Sequence, residues 1–130
     1  MDRSKALVVF AALAHEARLD LIRLLVPMGD QGMAAGEIAR SLGLAASRLS
    51  FHLSAMEQAG LLVSRRVARN VFYAVNTQRL GGAVGWLVED CCMKHPGVVG
   101  CSRGTGGAQS ELDKPAESPA EAETRNTPKG

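Results

Sequence analysis

The stretch that decides the fold is Ala35-Gly36-Glu37-Ile38-Ala39-Arg40-Ser41-Leu42-Gly43, followed by Ala46-Ser47-Arg48-Leu49-Ser50-Phe51-His52-Leu53-Ser54-Ala55-Met56 and Ala59-Gly60. Residues 35–42 predict a short helix that Gly43 closes. Ala46-Ser47 opens another, with Leu49, Leu53 and Met56 on one face and Gly60 placed for a left-handed cap. The period then changes. Residues 61–66 and 71–75 are short and rich in β-branched and aromatic side chains, which predicts a hairpin with Ala68-Arg69-Asn70 at its tip. Two helices across a glycine-containing turn, followed by a basic hairpin, describe a winged helix-turn-helix.

Working outward, Leu7, Val8, Phe10, Ala11 and Ala14, then Leu19, Ile22, Leu24 and Leu25, fit two helices parted near Ala14-His15-Glu16. Pro27 and Gly29 stop the second. A last helix is predicted from about Thr77 through Leu80, Val84, Leu87 and Val88 to the cysteines, ended by Pro96-Gly97. Gly81, Gly82 and Gly85 weaken it, each by about 1 kcal/mol relative to Ala. The expected fold class is mainly α, with about five helices plus a two-stranded wing, homodimeric. Residues 1–95 form the DNA-binding and dimerisation domain. Residues 96–130 carry the third cysteine and then a Gly-, Ser-, Pro-, Ala- and Glu-rich tail without apolar periodicity, expected to lack fixed structure.

An aromatic content of only 4% requires an aliphatic core. The net charge of +2 divides unevenly. Residues 1–95 hold eleven Lys and Arg against eight Asp and Glu, whereas residues 96–130 hold four against five. Arg3 and Lys5 before an apolar run ending in Ala12-Leu13-Ala14 imitate a leader with its cleavage site, but the helical pattern continues through His15 into Leu19 and Ile22. No stretch reaches the length that spans a bilayer. A soluble cytoplasmic protein with no membrane partner is expected.

On the helix after the turn, Ser47, Arg48, Ser50, Phe51 and Ser54 are left to face outward. Serines reach phosphates or base edges, and Arg48 can grip guanine through two hydrogen bonds. His52 has two readings, a phosphate contact and a packing histidine. Arg65, Arg66 and Arg69, with Asn70, gather cations around the hairpin tip, where phosphate or minor-groove contact is expected. One such domain has a small footprint, so a two-fold dimer on a palindromic site of double-stranded DNA is anticipated. Val8, Val9, Phe10, Leu80, Val84, Trp86 and Leu87 are the apolar residues assigned to the dimer surface.

The three cysteines, Cys91, Cys92 and Cys101, follow ninety residues without one. Soft thiolates select thiophilic ions, so a metal or metalloid chelate is the first reading. A redox-sensing thiol group and a zinc site completed by His95 are the others. A structural disulfide is disfavoured by the odd count and the expected reducing compartment. Cys91 and His95 have no visible orienting group for nucleophilic catalysis, and no enzyme is predicted.

The run Ala12-Leu13-Ala14-His15-Glu16-Ala17-Arg18-Leu19-Asp20-Leu21-Ile22-Arg23-Leu24-Leu25 resembles a segment of the ArsR/SmtB family of metal-responsive winged-helix repressors. Leu49-Ser50-Phe51-His52-Leu53, Met56, Ala59-Gly60-Leu61-Leu62 and Arg65-Arg66 resemble that family's recognition helix and wing. The resemblance covers roughly residues 5–92 and implies a homodimeric repressor released from operator DNA by an inducer. The family's Cys-Val-Cys arsenic motif has no counterpart in Ala34-Ala35-Gly36-Glu37-Ile38, and its paired Asp and His zinc ligands are matched only by Asp90 and His95. What remains resembles the subgroup with a Cys-Cys pair at the end of the last helix and a third Cys beyond it, which binds trivalent arsenic. That implies arsenite, antimonite or a methylated arsenite as inducer on Cys91, Cys92 and Cys101, with no organic cofactor. The Cys92-to-Cys101 gap is longer than in that subgroup, and Ala68 stands where a wing glycine is common.

Overall fold

The computed structural model describes residues 1–104, which fall into two compact units, Met1–Trp86 and a second beginning at Leu87. The first unit contains α1 (Arg3–Leu13), α2 (Glu16–Leu25), β1 (Met33–Ala34), α3 (Ala35–Leu42), α4 (Ala46–Gln58), β2 (Leu62–Val67), β3 (Asn70–Val75) and α5 (Thr77–Trp86). The second holds a π-helical turn, Leu87–Cys91, and α6 (Pro96–Ser102). The fold is a winged helix-turn-helix, mainly α, as the helical and hairpin periodicities predict.

Local chemistry explains the boundaries. The Asp2 carboxylate accepts from the Lys5 amide at 2.9 Å and starts α1. The Asn76 side chain accepts from the Arg79 amide at 3.1 Å and starts α5. Gly43 (φ 65°) ends α3 and Gly60 (φ 81°) follows α4, both left-handed as helix-ending glycines are. The core is aliphatic: Val9, Leu21, Leu25, Ile38, Leu49, Leu53, Met56, Leu61 and Leu62 are buried together. Val9 therefore belongs to the core and not to the dimer surface, because it lies on the face of α1 opposite Leu7 and Val8. Those two neighbours, with Val84 on α5, remain exposed.

The sheet has three strands in the order β1-β3-β2, one more than the hairpin alone. Met33 and Ala34 pair antiparallel with Tyr73 and Phe72, and two residues are too few to show an alternation in the sequence. Gly32 (φ 67°) lets the chain enter β1, and a methyl group there would overlap the Tyr73 carbonyl. The β2–β3 register places Arg65 opposite Phe72, Arg66 opposite Val71 and Val67 opposite Asn70. Only Ala68 and Arg69 form the turn, with Ala68 at φ 56°.

Two further expectations are corrected. The last long helix stops being α-helical at Trp86, five residues before the first cysteine. Pro96-Gly97 does more than end a helix, since it also begins α6. Proline fits the first helical position, where its missing N–H is not needed, and His95 Nδ1 accepts from the Gly97 amide at 3.0 Å. Of the expected unstructured tail, residues 105–130 lie outside the described residues, and Ser102 closes α6. Among the described residues no helix is long and apolar enough to cross a membrane.

Candidate functional site

The helix after the turn, α4, has a sharply divided surface. Leu49, His52, Leu53 and Met56 are buried, while Ser47, Arg48, Ser50, Phe51 and Ser54 are exposed. At 100° per residue, Ser47, Phe51 and Ser54 form the middle of the outward stripe, with Ser50 and Arg48 on its flanks. The helix presents two hydroxyls and an aromatic ring along the line that a major groove would meet.

His52 is corrected to the packing reading. At 2% exposure its ring has no surface to offer a phosphate. Its Nδ1 accepts from Nε of Arg18 at 3.1 Å, and it meets the His15 ring edge-on at 4.5 Å. Burial, with the nearby His15, Arg18 and Arg48, holds its pKa below the ordinary imidazole value, so the neutral ring is favoured. Arg18 is the residue that outward-facing logic missed. Its guanidinium also donates to the Ala12 carbonyl at 3.2 Å and lies 5.7 Å from the Phe51 ring centroid, joining α1, α2 and α4. The available signal was only its place in the run from Ala12 to Leu25 that carries the family resemblance. That run also holds His15, Glu16, Asp20 and Arg23, so composition did not single Arg18 out.

The wing arginines are all exposed but differ in their attachments. Arg65 stacks on Phe72 at 4.9 Å and donates to the Gln31 carbonyl at 3.0 Å, which ties the wing to the turn before β1. Arg66 and Arg69 are exposed near the tip, with Asn70 opening β3. Ser64 donates to the Glu57 carboxylate at 2.6 Å, linking the base of the wing to the end of α4.

The thiols lie in the second unit. Where an α-helical i−4 bond would have continued, the Cys92 amide donates to the Leu87 carbonyl five residues back at 2.9 Å. The Lys94 amide reaches six residues back to Val88 at 2.8 Å. Met93 (φ 50°) and Lys94 (φ 57°) are both left-handed, and such strain in non-glycine residues concentrates at functional segments. An α-helix would set Cys91 and Cys92 100° apart; at the end of the loosened turn the two thiols are close enough to influence each other. Partial burial pushes the Cys92 thiol above its ordinary pKa, and neighbouring Cys91 adds to this. Cys101 lies exposed on α6. All three are free thiols, and among the described residues no three Cys, His, Asp or Glu side chains converge on one point. The donor types suit a soft ion, but capture by all three would require Cys101 to move.

The fold and the divided recognition helix define a DNA-binding regulator, and the comparisons agree. A helix-turn-helix domain model matches residues 13–65. The HTH-type transcriptional regulator YgaV of Escherichia coli is 32% identical over 88 residues, 68% of this chain and 87% of that protein. The transcriptional activator HlyU of Vibrio cholerae is 35% identical over 94 residues, 72% of this chain and 84% of that protein. The solved structure of reduced HlyU from Vibrio cholerae N16961 superposes with a TM-score of 0.52 at 33% identity, covering 68% of this chain and 90% of that one. The chain belongs to the ArsR/SmtB family of winged-helix transcriptional regulators. It is a regulator and not an enzyme.

Proposed function

We propose that this regulator is a homodimeric cytoplasmic repressor of a palindromic operator, released when trivalent arsenic binds its thiols. The observation that carries the inducer is the Cys91–Cys92 pair at the end of a π turn, in a chain whose sole other cysteine is Cys101. Trivalent arsenic bonds up to three thiolates in a pyramid, so no fourth ligand is needed, whereas structural zinc takes four. Arsenite, antimonite and methylated arsenite share this preference for soft sulfur. Each As–S bond forms as a thiol proton leaves with an arsenic-bound hydroxide as water, so the raised pKa of Cys92, which keeps that thiol protonated, does not oppose capture.

On the DNA side, Ser47, Ser50 and Arg48 address base edges and nearby phosphates, while Arg65, Arg66, Arg69 and Asn70 hold the backbone. Exposed Leu7, Val8 and Val84 supply apolar surface for a two-fold contact. Reordering around the cysteines then needs to shift operator affinity by only about 1–3 kcal/mol, a typical coupling between two sites.

A second reading is favoured by one finding: a relative, HlyU, has been solved in a form described as reduced. Here that reading makes Cys91, Cys92 and Cys101 a redox switch on the same scaffold. One experiment separates the two. Operator complexes are titrated with arsenite, zinc and hydrogen peroxide while free thiols are counted. Arsenite-driven release with loss of free thiols supports the proposal; release by peroxide or zinc alone overturns it.

A further inference from the structure

The outward stripe of α4 contains one group that neither phosphate nor hydrogen-bond recognition employs. Phe51 is 64% exposed, more than any other large apolar side chain of the first unit, although the chain has only three phenylalanines to build a core. It is not a loose side chain. The Arg18 guanidinium lies 5.7 Å from its centroid, and the buried His52 ring meets it edge-on at 5.4 Å and 65°. Arg18 is itself fixed by His52 Nδ1 and the Ala12 carbonyl. The ring is thus braced from the protein side, and its remaining surface lies exposed beside Ser47 and Ser54, its neighbours at helical spacing.

A rigid, solvent-exposed aromatic ring amid small hydroxyls suits an apolar target on an otherwise polar surface. In the major groove the base edges offer hydrogen-bond donors and acceptors and one prominent apolar group, the C5-methyl of thymine. We propose that Phe51 is a specificity-determining residue that reads a thymine methyl in each operator half-site, with Arg18 positioning its ring. This rests on α4 entering the major groove of an operator, as proposed above. Ser47 and Ser54, small and exposed, stand beside Phe51 and can carry polar contacts next to a methyl, while Arg48 suits a guanine or a phosphate.

The test uses the full-length chain and a duplex enriched by it from a random pool. Each thymine is replaced in turn by deoxyuridine, which removes the methyl and leaves the hydrogen-bonding edge intact. Replacing the thymine that Phe51 touches should weaken binding about four-fold in one half-site and about fifteen-fold in both, the value of one buried methyl counted once or twice. Phe51→Ala should bind the thymine and deoxyuridine duplexes equally, and Phe51→Leu should keep part of the difference. A purely structural ring would lower affinity for both duplexes and leave their ratio unchanged. Equal affinity of the unaltered chain for the all-thymine and all-deoxyuridine duplexes overturns the assignment, as does a thymine preference that survives in Phe51→Ala. Enrichment of no sequence at all overturns the operator reading beneath it.

Discussion

Nε of Arg18 on α2 donates to Nδ1 of His52 on α4 at 3.1 Å, and this contact requires the imidazole to be unprotonated at that nitrogen. The folded pKa of His52 lies below 6.5, chiefly through burial and then through His15, Arg18 and Arg48. Between that lowered value and 6.5 the unfolded chain binds more protons than the folded one, so stability rises with pH across this window. The contribution is complete above pH 6.5 and is lost as pH falls towards the folded pKa. Thermal denaturation followed from pH 7.5 to 5 should show this decline. His52→Asn, which retains an acceptor but cannot gain a proton, should flatten it; an unchanged slope would remove His52 as its source.

The same guanidinium also satisfies the Ala12 carbonyl, so Arg18 joins three helices through two acceptors and a ring. Arg18→Lys keeps the charge but cannot reproduce the planar fork. It should cost about 1–3 kcal/mol, the penalty for leaving a buried acceptor unpaired, read as a shifted denaturation midpoint at constant slope. No loss of stability would mean that water replaces the guanidinium.

Two backbone positions act in opposite directions. Gly32 (φ 67°) faces the Tyr73 carbonyl with no room for a methyl, so Gly32→Ala should destabilise by about 2 kcal/mol or more. Ala68 (φ 56°) turns the wing in a left-handed conformation that suits glycine better. Ala68→Gly should therefore stabilise by about 0.5–1 kcal/mol in chemical denaturation. A destabilising effect there would show that the entropy glycine restores to the unfolded chain outweighs the relief.

Much of the architecture was legible because burial on α4 repeats at helical spacing: Leu49, Leu53 and Met56 are in the core as their positions imply. Gly43 and Gly60 marked their boundaries for a related reason, since both adopt a left-handed backbone that favours glycine. The rest depended on partners that lie far apart in sequence. His52 sits between an outward Phe51 and an inward Leu53, and only Arg18, 34 residues away, shows which way it turns. The two-residue β1 is defined by Tyr73 and Phe72 and by no pattern of its own. In the thiol segment, residue types suggested soft-ion chemistry, but the π turn and α6 depend on backbone hydrogen bonds that spacing does not encode.

The wing arginines should separate by function. Arg66→Ala and Arg69→Ala should each lower the salt dependence of DNA affinity by about one unit of slope, without changing sequence preference or stability. Arg65→Ala should in addition lower stability, because its guanidinium holds the Gln31 carbonyl and covers Phe72. Filter binding at several salt concentrations, paired with denaturation, checks both parts. Identical behaviour of all three variants would deny Arg65 its structural share.

Cys101 decides how many thiols an inducer uses. Cys91 and Cys92 are neighbours whose thiols influence each other, whereas Cys101 sits on α6 beyond left-handed Met93 and Lys94. Arsenite binding by three sulfurs must therefore reorganise this segment, while a monomethylated arsenite can be held by the adjacent pair alone. Cys91→Ser or Cys92→Ser should abolish release by both inducers and leave operator affinity intact, since neither residue belongs to α4 or the wing. Cys101→Ser should weaken the response to arsenite and spare the response to the methylated form. X-ray absorption on the arsenite complex should count three sulfur neighbours in the unaltered protein and two in Cys101→Ser. A count of two in both would remove Cys101 from the site and leave the vicinal pair as the complete sensor.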